Sequence, residues 1–496
     1  MISHPSDFAA RAAATVLFLS ASALAQSPNA TLDAALEQLL ADAALDGARV
    51  GVLVRDLADG ATLASHDAAH GYMTASNMKL VASSVALVTL GPDHRFATTL
   101  IATGPITDGV LHGDLVLVGS GDPTFGGRQE EGGPRAVLDR MVATMVERHG
   151  IRRIDGAVLG DDDCHPDEVM GEGWAWGYQG ASYAAQVGGL CFAENTVTLR
   201  VSPAAPGAAP DVATVPDLDL FDVENRALVG PPGSATELWA DRRRGSNRLV
   251  VGGRIAGDAE TWERKLSVEN PTLYAATALR QALVDAGIEV TGPALDRDDR
   301  PERPDRYGDE LVLVTHESPP LAEILHTLNK VSQNLYAEQL WRAAARSARG
   351  QGGARAATVH AKATLASLGV DVTGMRIADG SGLTRLNLVR PQQLVELLTG
   401  MWNGPHRDVF VTTLPVAGVD GTLRRRFAEG PAHGHVHAKT GYISSVVALS
   451  GYVERAEDGA PPLVFSILVN NFTAATGAVQ GAVDTFVNAV ATHAGW

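Results

Sequence analysis

The two ends of the chain each carry half of one sheet. Near the start, Leu32, Leu36, Leu39 and Leu40 recur at helical spacing, with Thr31 placed as an N-cap and Asp33 in the first turn. The stretch ARVGVLVRDLADGATLASHD that follows reads as two strands about the turn Asp59-Gly60. At the far end, HVHAKTGYISSVVALSGYV and PPLVFSILVNNF supply strands, and Val479, Val483, Phe486, Val487 and Val490 mark a final amphipathic helix. One end is helix-strand-strand and the other strand-strand-strand-helix. Neither half can bury a sheet by itself, so the expected arrangement joins them into one antiparallel sheet with the terminal helices on one face.

That closure makes the middle an insertion. From about Asp93 to Glu317 the texture changes to short β-like segments rich in glycine and proline, including SPAAPGAAPDVATVPD at 202–217. No repeat of solenoid length is present. The first 25 residues have the form of a cleaved signal peptide, with Arg11 before the apolar run Ala12–Leu19 and Ala23-Leu24-Ala25 ahead of Gln26. No other stretch has the length of apolar sequence that a membrane span needs. An exported protein follows as the expectation. Export also makes a disulfide between Cys164 and Cys191 plausible. A formal net charge of −17 argues against a nucleic-acid partner, because a phosphate backbone would be repelled. The arginine triplets 242–244 and 424–426 read as solvated turns.

Lysine is scarce. Of 40 basic residues only Lys79, Lys265, Lys330, Lys362 and Lys439 are lysines. Unlike arginine, a lysine amine can lose its proton inside a protein. Lys79 stands three residues after Ser76, ahead of the nearly all-round apolar run Met78, Leu80, Val81, Val85, Leu87, Val88 expected of a buried helix. At that spacing the hydroxyl and the amine share one helical face. A desolvated amine can take the serine proton, and the helix N-terminus favours a developing oxyanion. Alone, Ser-x-x-Lys is too common to signify. Two further segments accompany it: NKVSQNLYAEQL, with Ser332 and Asn334 at a helix start, and Lys439-Thr440-Gly441 on a strand, where the glycine lets a substrate backbone lie close.

Ser-x-x-Lys, Ser-x-Asn and Lys-Thr-Gly in this order form the motif set of penicillin-binding proteins and serine β-lactamases. About half the chain separates Ser76 from Ser332, more than a compact β-lactamase accommodates. With GSGDPTF, VLGDDD, SPPLAEILHTLNKVSQNLYAEQL, ADGSGLTRLN and LPVAGVDGTLRRRF, the chain resembles the low-molecular-mass class C penicillin-binding proteins, the D-alanyl-D-alanine carboxypeptidase/endopeptidase family S13. The resemblance implies an α/β (α+β) fold of the serine β-lactamase/DD-transpeptidase kind, an antiparallel sheet flanked by helices, with a large, mostly-β insertion forming two further domains. On this numbering that gives a signal peptide 1–25, a catalytic domain 26–92 plus 318–496, an inserted domain 93–205 plus 262–317, and a third domain 206–261.

The resemblance also implies roles. Ser76 would be acylated, Lys79 would be its base, and Ser332 would relay a proton to the leaving D-alanine. Asn334 would hold the substrate amide, Lys439 and Thr440 would bind the terminal carboxylate, and the backbone N–H groups of Ser76 and Tyr442 would form the oxyanion hole. Tyr442 departs from the threonine usual there. Asp161 and Arg385 match positions that in some members contact the amino-carboxylate end of the stem-peptide side chain. The implied setting is the periplasm, with peptidoglycan stem peptides as substrate, β-lactams as covalent inhibitors, no cofactor and no metal. A homo-oligomer is compatible with the sequence. A same-fold β-lactamase or esterase, and a cell-wall binding protein without turnover, stay open as alternatives. The rival features are weak: His433, His435 and His437 read as a solvated strand face, DDDCH at 161–165 lacks a second ligand cluster, GSGDPTFGG lacks the lysine of a phosphate loop, and Ser381 lies in no G-x-S-x-G elbow.

Overall fold

The computed structural model describes residues 28–300 and 311–496, so the signal-like segment 1–25 and residues 301–310 of the insertion lie outside the described residues. The ends join as their pattern requires. Strands Val436–Ile443, Val446–Val453, Leu463–Asn470, Arg49–Asp56 and Thr62–His66 form one five-stranded sheet in that order, antiparallel throughout. The seam between the two ends of the chain is the pairing of Arg49–Asp56 with Leu463–Asn470, in register from Arg49 opposite Asn470 to Asp56 opposite Leu463.

Both faces of the sheet are covered. On one, Leu32, Leu36 and Leu39 of helix Pro28–Leu40 and Val479, Val483, Phe486, Val487 and Val490 of helix Thr476–His493 pack on Val52, Val54, Leu449, Phe465 and Ile467. The first helix begins at Pro28, so Thr31 sits inside it and is not its cap. On the other face, Leu53, Ala448, Tyr452, Val464 and Leu468 meet helices Met78–Leu90, Asn334–Arg349 and Pro391–Asn403. Every residue from Met78 to Leu87 is buried, which is why that helix shows no polar stripe.

The inserted region leaves and re-enters at one point. Ser318 Oγ accepts from Phe96 N at 2.9 Å, Ser318 O accepts from Arg95 Nη1 at 2.7 Å, and Leu321 N donates to His94 O at 2.8 Å. Beyond this clasp stand a mixed five-stranded sheet, a four-stranded sheet and two three-stranded sheets, with helices Ala136–His149 and Pro271–Asp285. One apolar cluster runs from Leu100, Leu117 and Leu279 through to Leu249, Val251 and Ile255.

The expected disulfide is not formed. Cys164 and Cys191 are both free. Each thiol is turned to a backbone carbonyl on the 188–189 stretch, Cys164 Sγ donating to Gly189 O at 3.5 Å and Cys191 Sγ to Gly188 O at 3.7 Å. Burial pushes the Cys164 thiol up to about 12 and raises that of Cys191 as well, so neither is a ready thiolate.

Candidate active site

The three motifs converge where the buried helix, the sheet and the Ser332 loop meet. Ser76 lies in the short turn Ala75–Asn77 that leads into helix Met78–Leu90. Ala75 is held at φ 43°, a left-handed conformation that L-residues adopt only at a cost. Gly382 makes room for it: a Cβ on Gly382 would stand 1.7 Å from Ala75 O. The segment before the turn is pinned by Asn470, whose side chain accepts from Met73 N at 2.8 Å and donates to Met73 O at 3.0 Å. Asn77 ties the same turn to the Lys439 strand, its Nδ2 donating to Lys439 O at 2.7 Å.

Lys79 is fully buried. Its Nζ reaches Ser76 Oγ at 2.9 Å, Asn334 Oδ1 at 2.6 Å and Ser381 O at 2.7 Å. Desolvation pushes the amine down to about 7, against the opposing pull of the Asp379 and Glu338 charges. Glu338, on helix Asn334–Arg349, is itself pushed up to about 7 by burial and by Asp379, and its Oε1 accepts from Gly380 N and Ser381 N at 3.1 and 2.8 Å. Asp379 organises the rest of that loop, accepting from Gly382 N and Thr384 N at 2.8 Å each and from Trp174 Nε1 at 2.9 Å.

Ser332 precedes the helix expected to carry it and sits at φ 65° between Val331 and Asn334. Its Oγ accepts from Lys439 Nζ at 2.8 Å, while Nζ also donates to Thr440 O at 2.9 Å. Burial and the Lys79 charge both depress the Lys439 amine. Thr440 Oγ1 lies 2.7 Å from Thr422 Oγ1. The inserted region braces this loop twice: Asn334 Nδ2 donates to Tyr183 O at 2.7 Å, and Gln333 Nε2 donates to Glu194 Oε2 at 3.0 Å. Lys330, another of the scarce lysines, is an ion-pair partner of Asp420 at 2.6 Å.

Gly441 also meets a packing requirement within the chain itself. A Cβ there would stand 2.7 Å from Thr74 O and 3.2 Å from Asn77 N. The glycine lets the strand lie against the chain's own Ser76 turn.

Ser76, Ser332, Asn334 and Tyr442 line a cleft of about 370 Å³, together with Tyr178, Tyr183, Gly382, Leu383, Ile443 and Ser444. Tyr442 is 55% exposed. Arg385 stands beside this cleft, donating to Ser444 O. Asp161 does not join it: it is buried on strand Val158–Asp161 and paired with Arg297 at 2.7 Å. Sequence reasoning missed Ser381, Asp379, Glu338 and Tyr183. The paired glycines of DGSG around Ser381 were the available signal for a tight, strained loop. The histidines do not converge: His433 Nδ1 meets Phe427 O at 3.0 Å, whereas His435 and His437 both meet Glu454. An acidic trio that sequence spacing did not reveal, Asp162, Asp296 and Asp298, has carboxylate oxygens within 4.8 Å of one another, and none of the three lines the cleft.

Comparison with known proteins identifies the family. The D-alanyl-D-alanine carboxypeptidase of Actinomadura sp. (strain R39) is 36% identical over 461 residues, 90% of this chain and 82% of that protein. The D-alanyl-D-alanine carboxypeptidase DacB of Haemophilus influenzae is 28% identical over 425 residues, 83% of each chain. The crystal structure of penicillin binding protein 4 from Haemophilus influenzae superposes with a TM-score of 0.77 at 24% identity, over 92% of this chain and 97% of that one. The model of the D-Ala-D-Ala carboxypeptidase 3 (S13) family matches residues 32–490, and the chain belongs to that family.

Proposed function

We propose that the protein is an exported serine DD-peptidase that cleaves D-Ala-D-Ala termini, or D-centre cross-links, of peptidoglycan stem peptides through an acyl-Ser76 intermediate, with β-lactams as covalent inhibitors. The observation that carries this reading is the buried Lys79 amine, lowered to about 7 and 2.9 Å from Ser76 Oγ. In its neutral form the amine takes the Ser76 proton as Oγ attacks the penultimate carbonyl carbon. The oxyanion then receives the backbone N–H groups of Ser76 and Tyr442, at the start of a helix and on the strand edge.

Collapse of this intermediate breaks the C–N bond. Ser332 hands its proton to the departing amine and takes up in its place the proton that Lys79 removed from Ser76, and because Lys439 Nζ donates to Ser332 Oγ, the hydroxyl hydrogen is left free to point into the cleft. The terminal carboxylate docks against Lys439 and Thr440, and its charge draws the depressed Lys439 amine back toward the ammonium form. Asn334, held between Lys79 and Tyr183 O, orients the substrate amide. Water then hydrolyses the acyl-enzyme. A periplasmic location accords with the signal-like N-terminus. No helix among the described residues is long and apolar enough to cross a membrane.

The test is release of free D-alanine from a pentapeptide ending in D-Ala-D-Ala. Release supports the peptidase reading. Hydrolysis of a β-lactam without peptide cleavage would replace it with a β-lactamase of the same fold.

A further inference from the structure

Ser332 belongs to no regular element of the catalytic half. It stands at φ 65° after the π-helical turn Thr327–Val331, and helix Asn334–Arg349 begins only beyond Gln333. Both ends of this stretch are tied to one segment of the insertion. Gln129 Nε2 donates to Thr327 Oγ1 at 3.0 Å, and the neighbouring Arg128 holds Glu194, with Nε to Oε1 at 2.5 Å and Nη2 to Oε2 at 2.8 Å. Glu194 Oε2 in turn accepts from Gln333 Nε2 at 3.0 Å. Gln333 uses both ends of its amide, because its Oε1 accepts from Leu335 N at 2.8 Å and caps the helix.

Glu194 is fixed from its own side as well. Ala193, Glu194 and Asn195 stand at φ 51°, 57° and 53°, three consecutive L-residues in the left-handed region, where each meets a steric cost. Asn195 holds this turn, its side chain accepting from Phe192 N at 3.0 Å and donating to Gln186 O at 2.8 Å, while Ala193 N donates to Phe125 O at 3.1 Å. The Glu194 side chain is buried, and a buried carboxylate needs its hydrogen bonds. Two come from Arg128 and one from Gln333. Neither Glu194 nor Gln333 lines the cleft, so any part they have in the reaction is played through Ser332, the residue beside Gln333.

We propose that Glu194, locked by Arg128, is a positioning residue for Ser332: through Gln333 it sets where the Ser332 hydroxyl stands, and with it the proton transfer to the leaving amine. The inserted region thereby takes part in breaking the C–N bond. This rests on the DD-peptidase reading, in which Ser332 is the proton relay.

The test compares two substrates with the same acyl group, a peptide ending in D-Ala-D-Ala and its thioester analogue in which mercaptoacetate replaces the last D-alanine. Both present a terminal carboxylate and leave the same acyl-Ser76. The amine departs only with a proton, whereas the thiolate departs without one. kcat/KM is measured by release of D-alanine and of free thiol, and the ratio of the two is independent of how much protein is folded. Gln333→Glu keeps an acceptor for Leu335 N but sets a carboxylate against Glu194, which breaks the tie and spares the cap. Its amide-to-thioester ratio is expected to fall about ten- to a hundredfold, the scale of a misplaced catalytic group. Glu194→Ala, which leaves Gln333 and its cap in place, should lower the ratio in the same direction. Adding Glu194→Gln to Gln333→Glu sets a donor opposite an acceptor again, with the bond reversed in sense, and should recover most of the ratio. A ratio unchanged in either single variant, the two activities falling together, or a ratio that the double variant does not recover overturns the proposal alone. Wild-type enzyme that releases no D-alanine overturns the peptidase reading and this proposal with it.

Discussion

Replacing Lys79 by arginine tests the chemistry of the site at its centre. An ordinary lysine, with a pKa of about 10.4, is neutral in roughly one molecule in a thousand at pH 7.5. The buried Lys79 is brought down to about 7, so most molecules carry the base form at that pH. Burial thus supplies about three orders of magnitude in the fraction of competent base, by the same pKa arithmetic. Arginine keeps its proton at every accessible pH and forfeits that whole fraction. The guanidinium must also fit where Nζ now meets three oxygens at 2.6 to 2.9 Å. Lys79→Arg is expected to slow acylation by roughly a hundred- to ten-thousandfold, the range a general base supplies. The assay is the second-order rate of acylation by a chromogenic β-lactam, on protein shown by circular dichroism to be folded. In the wild type this rate should climb as pH rises through about 7, where Lys79 loses its proton, and level off above. A Lys79→Arg rate within tenfold of wild type, or a wild-type rate flat between pH 5.5 and 9, would refute the general-base argument.

Three further outcomes follow from the surrounding geometry. Glu338→Gln removes a charge that holds the Lys79 pKa up, so the rising limb of the acylation profile should move to lower pH; a move to higher pH would contradict the assigned sign. Gly441→Ala places a methyl 2.7 Å from Thr74 O and should push the strand off the Ser76 turn, lowering acylation more than tenfold, with overpacking on the order of 1–3 kcal/mol read in a denaturant melt; unchanged kinetics would show that the contact is slack. Denatured without reductant, the protein should titrate two thiols, from Cys164 and Cys191, and finding none would restore the disulfide.

The sheet was legible because its pattern is carried by side chains: strand periodicity on both ends and apolar stripes on the terminal helices leave few ways to bury Leu53, Val54 and Ile467. The motif residues were legible for the same reason, since a serine, a lysine and an asparagine announce themselves by type. What escaped is carried by the backbone or by tertiary contact. Ser381 contributes a carbonyl to Lys79, and any residue has one. Tyr183 likewise offers Asn334 its carbonyl, across 151 positions of sequence. The Gly441 requirement depends on the turn lying against it, which no local pattern records. Asp161 was placed by its motif, but its charge is claimed by Arg297, a partner 136 positions away.

The central claim is that Ser76 forms a covalent acyl intermediate. Incubation with benzylpenicillin followed by intact-mass measurement and peptide mapping tests it most directly. One adduct of the mass of the intact drug, mapped to the peptide bearing Ser76 and lost in Ser76→Ala, is the expected result. An adduct that persists in Ser76→Ala, or maps to Ser332 or Ser381, would contradict the account.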